Sequence, residues 1–143
     1  MRSCFSILLL PFILLSCGAV WQTDANRAVE LARTGEYKQA AAALESIVGG
    51  GNADPRVIES LYYSWIRSGE YLKAREQFEA WSVAFEKTGG IRLAAGRINR
   101  ITGNFDRALT HLNTVVANAD VGIAAQYEKA MVLESTGKRE EAV

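Results

Sequence analysis

The sequence predicts an all-α solenoid of stacked helical hairpins, about three and a half units long. Three observations carry that expectation. Gly35, Gly69, Gly103 and Gly137 stand 34 residues apart, one after another. Two further columns keep the same register: Tyr37, Tyr71 and Phe105 (Arg139 in the fourth copy), and Ala40, Ala74, Ala108 and Ala142. Between these columns apolar residues recur at spacings of three and four, the period of one face of a helix.

Each element follows from that register. A glycine suits the point where a first helix must stop and reverse, because it enters the left-handed region without a Cβ penalty. The aromatic two residues later is expected to plug the space between the paired helices. The alanine marks where the second helix crosses the first closely. Downstream stripes define the second helices: Leu44, Ile47 and Val48; then Phe78, Trp81 and Phe85; then Leu112, Val115 and Val116. Upstream, the first helices carry Ala28 and Leu31, Leu61 and Trp65, Ile91, Ala95 and Ile98, and Ala130 and Leu133. The stretch "GGGNADP" at 49–55 is a break, with Asp54 as N-cap and Pro55 in the first turn. "TGG" at 88–90 and "NADVG" at 118–122 separate the later pairs. The expected helices are 24–34, 38–48, 55–67, 71–86, 90–102, 105–117 and 123–136.

The period and the motif Gly-x-aromatic-x-x-Ala resemble the inter-helix corner of the tetratricopeptide repeat (TPR), from about Trp21 to the end. The resemblance implies a right-handed superhelix with repeats at about 21–54, 55–88, 89–122 and a partial 123–143. Two residues depart from the family pattern. Tyr62 is large where a small residue is preferred, as in Ala28, Gly96 and Ala130, and Asn99 replaces a large apolar one. Repeat three is therefore expected to be looser, or its first helix to be slightly rotated. The usual proline near the end of a repeat is replaced by Asn52, Glu86 and Asp120. Because Val143 arrives one residue after Ala142, the chain reads as incomplete at its C-terminus, inside an eighth helix.

The N-terminus has a different composition. A single Arg2 precedes an apolar run from Phe5 to Leu15, the layout of a secretory signal. Leu14-Leu15-Ser16-Cys17 resembles the bacterial lipobox. That resemblance implies a signal peptide at 1–16, lipidation of Cys17, a tether at 17–22 and the solenoid at 23–143. It further implies an envelope lipoprotein, at the outer membrane where the host has one. The alternative is an ordinary signal cut after Ala19, giving a soluble secreted or periplasmic protein. Cys4 would leave with the signal, so the mature chain would hold no internal disulfide.

Charge and chemistry narrow the function. Lys plus Arg equals Asp plus Glu at 16 each, which offers nothing to a polyanion, so no nucleic-acid partner is expected. His111, the single histidine, reads as a partly exposed helix-surface residue. With His111 read as a surface residue, no Ser-His-Asp set is evident, nor any metal-ligand spacing, cofactor motif or small-molecule substrate, and the chain is not expected to be an enzyme.

What remains is the concave face, which in the TPR family is lined by first helices and holds partner peptides. Register places Arg33, Tyr63, Arg67, Arg97, Arg100 and Tyr127 there, with Arg56 as a fifth inward arginine. Arginine pairs bidentately with carboxylates and tyrosine offers broad contact, so an acidic polypeptide segment is the expected partner. The lysine–asparagine carboxylate clamp of co-chaperones is absent, since the matching positions hold Ala25, Val29, Ser60, Gly90 and Ala94. A non-catalytic, envelope-anchored scaffold is the leading expectation; it resembles in plan the TPR lipoproteins of β-barrel, pilus and cell-wall assembly. The alternative is an N-terminal accessory domain of a longer enzyme, such as a peptidase, whose catalytic part lies beyond Val143. A third reading is self-association through an apolar end.

Overall fold

The structure, a computed structural model, describes residues 10–138, with side chains from 22 onward. Seven helices follow in order among them: α1 Leu10–Arg33, α2 Tyr37–Gly49, α3 Pro55–Ser68, α4 Tyr71–Ala84, α5 Gly89–Ile101, α6 Phe105–Val115 and α7 Gly122–Ser135. The fold is a helical solenoid of the TPR type, as the spacing predicts. Ala142 lies outside the described residues. One boundary differs widely from expectation: α1 begins at Leu10 rather than near residue 24. With Pro11 in its first turn, where proline fits, Gly18 is the only glycine between it and Ala25. Among the described residues no helix is long and apolar enough to cross a membrane.

Every corner is built the same way. Gly35, Gly69, Gly103 and Gly137 all have φ between 78 and 92°, the left-handed region. The next residue's N–H then reaches back five positions: Glu36 to the Leu31 carbonyl, Glu70 to Trp65, Asn104 to Asn99 and Lys138 to Leu133, at 2.8–2.9 Å. Each glycine N–H bonds one turn inside, to Ala32, Ile66, Arg100 or Glu134. This pair of bonds is the Schellman closure, and it satisfies carbonyls that a helix end otherwise leaves bare. Before α3, Asp54 accepts a hydrogen bond from the Arg56 amide at 2.9 Å, with Pro55 at the first position, as expected for a cap.

The columns pack unequally. Ala40, Ala74 and Ala108 are fully buried, and Leu44, Phe78 and Leu112, four residues on, fill the space between helices. Each such side chain contributes about 1.5–3 kcal/mol through burial. The aromatic column does not plug that space. Tyr71 is exposed, and Tyr37 and Phe105 are half-buried, because each opens its second helix and lies at the edge of the pair.

Repeats two and three solve the packing differently. In repeat two Trp65, Phe78 and Trp81 form one aromatic cluster, with Trp65 stacked on Trp81 at 6.0 Å and edge-on to Phe78 at 5.4 Å. Tyr62 and Trp65 hold α3 away from α4, and close backbone approaches are sparse there. In repeat three α5 and α6 approach closely across Gly96. A Cβ on Gly96 would stand 2.7 Å from Leu112. Asn99 is fully buried and donates to the Glu79 carboxylate at 2.6 Å and the Ala95 carbonyl at 2.9 Å. The expectation of a looser third repeat is corrected accordingly: the polar residue is held on both amide hydrogens, and the helices there are the closer pair.

Successive first helices, α1 with α3, α3 with α5 and α5 with α7, pack on one another. The second helices meet chiefly the first helices that flank them. The first helices therefore form the inner layer.

Two glycines in this packing give a graded test. A Cβ on Gly122 would lie 2.4 Å from the Val116 carbonyl oxygen, a backbone atom that cannot rotate away. Gly122→Ala is expected to lower stability by about 1–3 kcal/mol, and Gly96→Ala by less, since Leu112 can change rotamer. Urea unfolding of the two variants checks the order; equal midpoints would contradict it.

Candidate functional site

The inner layer divides into two regions of different character. The first is an open aromatic–cation cluster at the end of repeat one. Tyr37, from α2, meets Tyr63, from α3, edge-on at 5.9 Å. Arg67, one turn beyond Tyr63, lays its guanidinium 5.5 Å from the Tyr37 ring centre and 5.8 Å from that of Tyr63. Its pKa is raised by a hydrogen bond with Tyr37 and by the charge of Tyr63 when that phenol ionises. Tyr63 is 48% exposed. Arg67 pairs with no carboxylate among the described residues. A depression of about 310 Å³ beside the cluster is lined by Ala32, Arg33, Tyr37, Glu59, Ser60 and Tyr63. A second, of about 470 Å³, runs past Gly35, Lys38, Arg67 and Ser68.

The second region is an ion-pair ladder across three successive first helices. Arg97, on α5, bonds Glu59 on α3 at 2.7 Å and Glu128 on α7 at 3.1 Å. Arg100, one turn on, bonds the other oxygen of Glu128 at 2.8 Å. The Arg97 guanidinium also lies 5.7 Å from the Tyr62 ring centre. Burial grades along the ladder: the Glu128 side chain is 9% exposed, that of Arg97 17% and that of Glu59 61%. Sequence register places Arg97 and Arg100 on the inner face, and both stand there paired with glutamates of the same chain.

The other expected site residues scatter. Arg33 is exposed and paired with Glu30 at 3.2 Å, one turn away. Arg56 folds back on the Asp54 cap at 2.8 Å, and its guanidinium holds that carboxyl below the usual range. Tyr127 is 64% exposed on α7. Three apolar side chains that register also puts on this face differ: Ala32 and Leu93 are buried, while Ile101 is exposed. Cys17 falls in the part of α1 whose side chains lie outside the description.

His111 is not the surface residue its position suggests. Its side chain is 11% exposed and its Nε2 lies 3.1 Å from Glu79 Oε2. Facing a carboxylate, Nε2 donates, and the buried Nδ1 has no hydrogen-bond partner among the described residues. Glu79, Asn99 and His111 thus form a polar knot joining α4, α5 and α6, beside a cavity of about 470 Å³ that also borders Arg92 and Arg107. Among the described residues no three His, Cys, Asp or Glu side chains gather as metal ligands do.

Register also places Glu59 on the inner face, whereas no motif or composition singles out Glu79 and Glu128. A signal existed: in a 34-residue solenoid, opposite charges roughly one period apart sit on neighbouring equivalent helices. Glu59 and Glu128 are 38 and 31 residues from Arg97, and Glu79 is 32 from His111.

The groove can now be set beside known proteins. The solved structure of MamA AMB-1 in crystal form P212121 superposes with a TM-score of 0.64 at 18% identity, covering 83% of this chain and 70% of that one. MamA MSR-1 in crystal form C2 gives 0.62 at 17% identity, covering 86% and 71%. The likeness is one of fold. No protein-family model matches the chain, and no curated protein matches it by sequence.

Two measurements test the ladder. Arg97→Ala with Arg100→Ala leaves the buried Glu128 without a counter-charge, and the pair is expected to cost about 3–5 kcal/mol in urea unfolding. Glu59→Ala, at the exposed end, should cost under about 1 kcal/mol. Tyr62 gives a pH test: burial pushes its phenol up from 10.0 to about 12, so the folded state favours the neutral form. The unfolded chain ionises first, so this group's contribution is intact below pH 10.0 and is lost as pH rises to about 12. Tyr62→Phe should flatten that alkaline loss of stability; an unchanged slope would show that burial of this phenol is not its source.

Proposed function

We propose that the protein is a non-catalytic scaffold that holds a polypeptide segment on its inner face, anchored to a bacterial envelope membrane through lipid on Cys17. The observation that carries the binding reading is the open Tyr37–Tyr63–Arg67 cluster. Elsewhere on the inner face the arginines are paired with glutamates of the chain; here a guanidinium is supported by two aromatic rings and keeps its charge for a ligand. Tyrosine and arginine in this arrangement supply the contact area and the directional hydrogen bonds that dominate recognition. The partner is an acidic segment, because a carboxylate is the group a planar guanidinium pairs with best. The similarity of fold to MamA is consistent with a scaffold and says nothing about the partner.

Anchoring rests on the lipobox resemblance of Leu14-Leu15-Ser16-Cys17. Several acyl chains on one residue would hold the chain durably, since each buried methylene adds about 0.8 kcal/mol.

Arg67→Glu with Tyr63→Ala should abolish capture of an acidic peptide in pull-downs while the circular dichroism spectrum stays unchanged, since both side chains are exposed. Undiminished capture would remove this cluster from the binding site. Cys17→Ser should move the protein from membrane to soluble fractions, and unchanged fractionation would end the anchoring reading.

A further inference from the structure

We propose that Glu59 is a resident competitor in the groove, occupying on Arg97 the place that a carboxylate of an acidic partner takes when it binds. This rests on the reading of the inner face as an acidic-segment site.

Arg97 has two anionic partners that differ in one decisive respect. Glu128 is buried, accepts from Arg97 Nε and from Arg100, and sits inside the packing of α5 on α7. Removing it would leave charges stranded in a dry environment, so that pair is fixed. Glu59 sits mostly in solvent and brings both of its oxygens to the same Arg97 nitrogen, Nη1, at 2.7 and 2.9 Å. Both oxygens compete for one amino group, so the exchange gives up no two-pronged fork. An exposed pair of this kind is worth at most about a kcal/mol, so an incoming carboxylate can replace it at little loss.

Position supports the exchange. Glu59 lies one turn before Tyr63 on α3, and it lines the same depression as Tyr37, Tyr63 and Arg33. A segment seated on the Tyr63–Arg67 cluster and running along the inner face toward α5 meets Glu59 next, then Arg97. Glu59 repels an acidic segment while it stays in place and uncovers a matching cation once it swings away. The groove thus has one constitutive anchor, Arg67, and one latent anchor, Arg97. It is selective for segments with two separated carboxylates over those with one.

The test uses the full chain and a fluorescein-labelled peptide of six glutamates with a free C-terminal carboxylate, read by anisotropy at fixed salt. Glu59→Gln keeps the side-chain shape and removes the competitor; affinity is expected to rise about two- to tenfold. Glu76→Gln changes net charge equally from an exposed place on α4 and should leave affinity unchanged. The gain should disappear in Glu59→Gln combined with Arg97→Gln, with folding checked by circular dichroism. Equal affinity of Glu59→Gln and the unaltered chain, with binding still lost on Arg67→Glu, would overturn the competitor and leave the groove reading standing. An equal gain in Glu76→Gln would also overturn it, as a bulk-charge effect. Absence of binding by any form, or binding indifferent to Arg67, would overturn both readings.

Discussion

The left-handed glycine at each helix corner is the constraint on which the rest of this structure depends. An L-residue with a side chain resists φ near 80°, whereas glycine adopts it freely, and that single turn closes two hydrogen bonds in every hairpin. Recurring every 34 residues, the corner fixes where each second helix starts. It therefore fixes which face of each helix meets its partner. Core, groove and ladder all follow from that phase. The six-residue closing bond uses only a backbone carbonyl, so it tolerates Leu31, Trp65, Asn99 or Leu133 in the same column. The register survives large variation in the side chains it aligns.

That tolerance explains how repeats two and three differ without loss of the stack. Trp65 fills its column with an aromatic cluster, and Tyr62 keeps α3 and α4 apart. One repeat later both positions shrink, to Gly96 and Asn99. The helices close up, and a buried amide replaces the indole. A buried amide is tolerable only with partners: Glu79 and the Ala95 carbonyl take its two amide hydrogens, and His111 holds Glu79 from the other flanking second helix. The pattern is a trade of apolar volume in one repeat against a polar knot in the next.

These particulars show what the sequence carries and what it conceals. Corners, helix order and most of the core are legible because each depends on local spacing: glycine for φ, three-and-four periodicity for the buried face. The extent of α1 is less so, because the apolar run reads as a processed signal and no strong breaker separates it from Ala25. The aromatic column misleads because a helix's first residue lies at the edge of a hairpin, where its ring faces a neighbour such as Tyr63 rather than the interior. The pairing of Arg97 and Arg100 is hidden for a related reason. Register gives the face a side chain lies on, while its partner is set by the adjacent repeat. Neither arginine has a carboxylate within its own helix, which runs from Gly89 to Ile101 without an acidic residue.

The ladder follows from that composition. A helix carrying Arg92, Arg97 and Arg100 and no acid accumulates charge that nothing local can neutralise. Placed between α3 and α7, it draws Glu59 and Glu128 from either side, and self-repulsion becomes attraction between layers that also share an apolar floor. The two glutamates are not equivalent, because α7 closes over Glu128 while α3 leaves Glu59 at the groove surface. Water competes strongly for one and hardly at all for the other. The buried pair sets how α5 and α7 are joined; the exposed pair is free to respond to whatever enters the groove. One arginine thus serves both packing and recognition, through unequal access of solvent to its two partners.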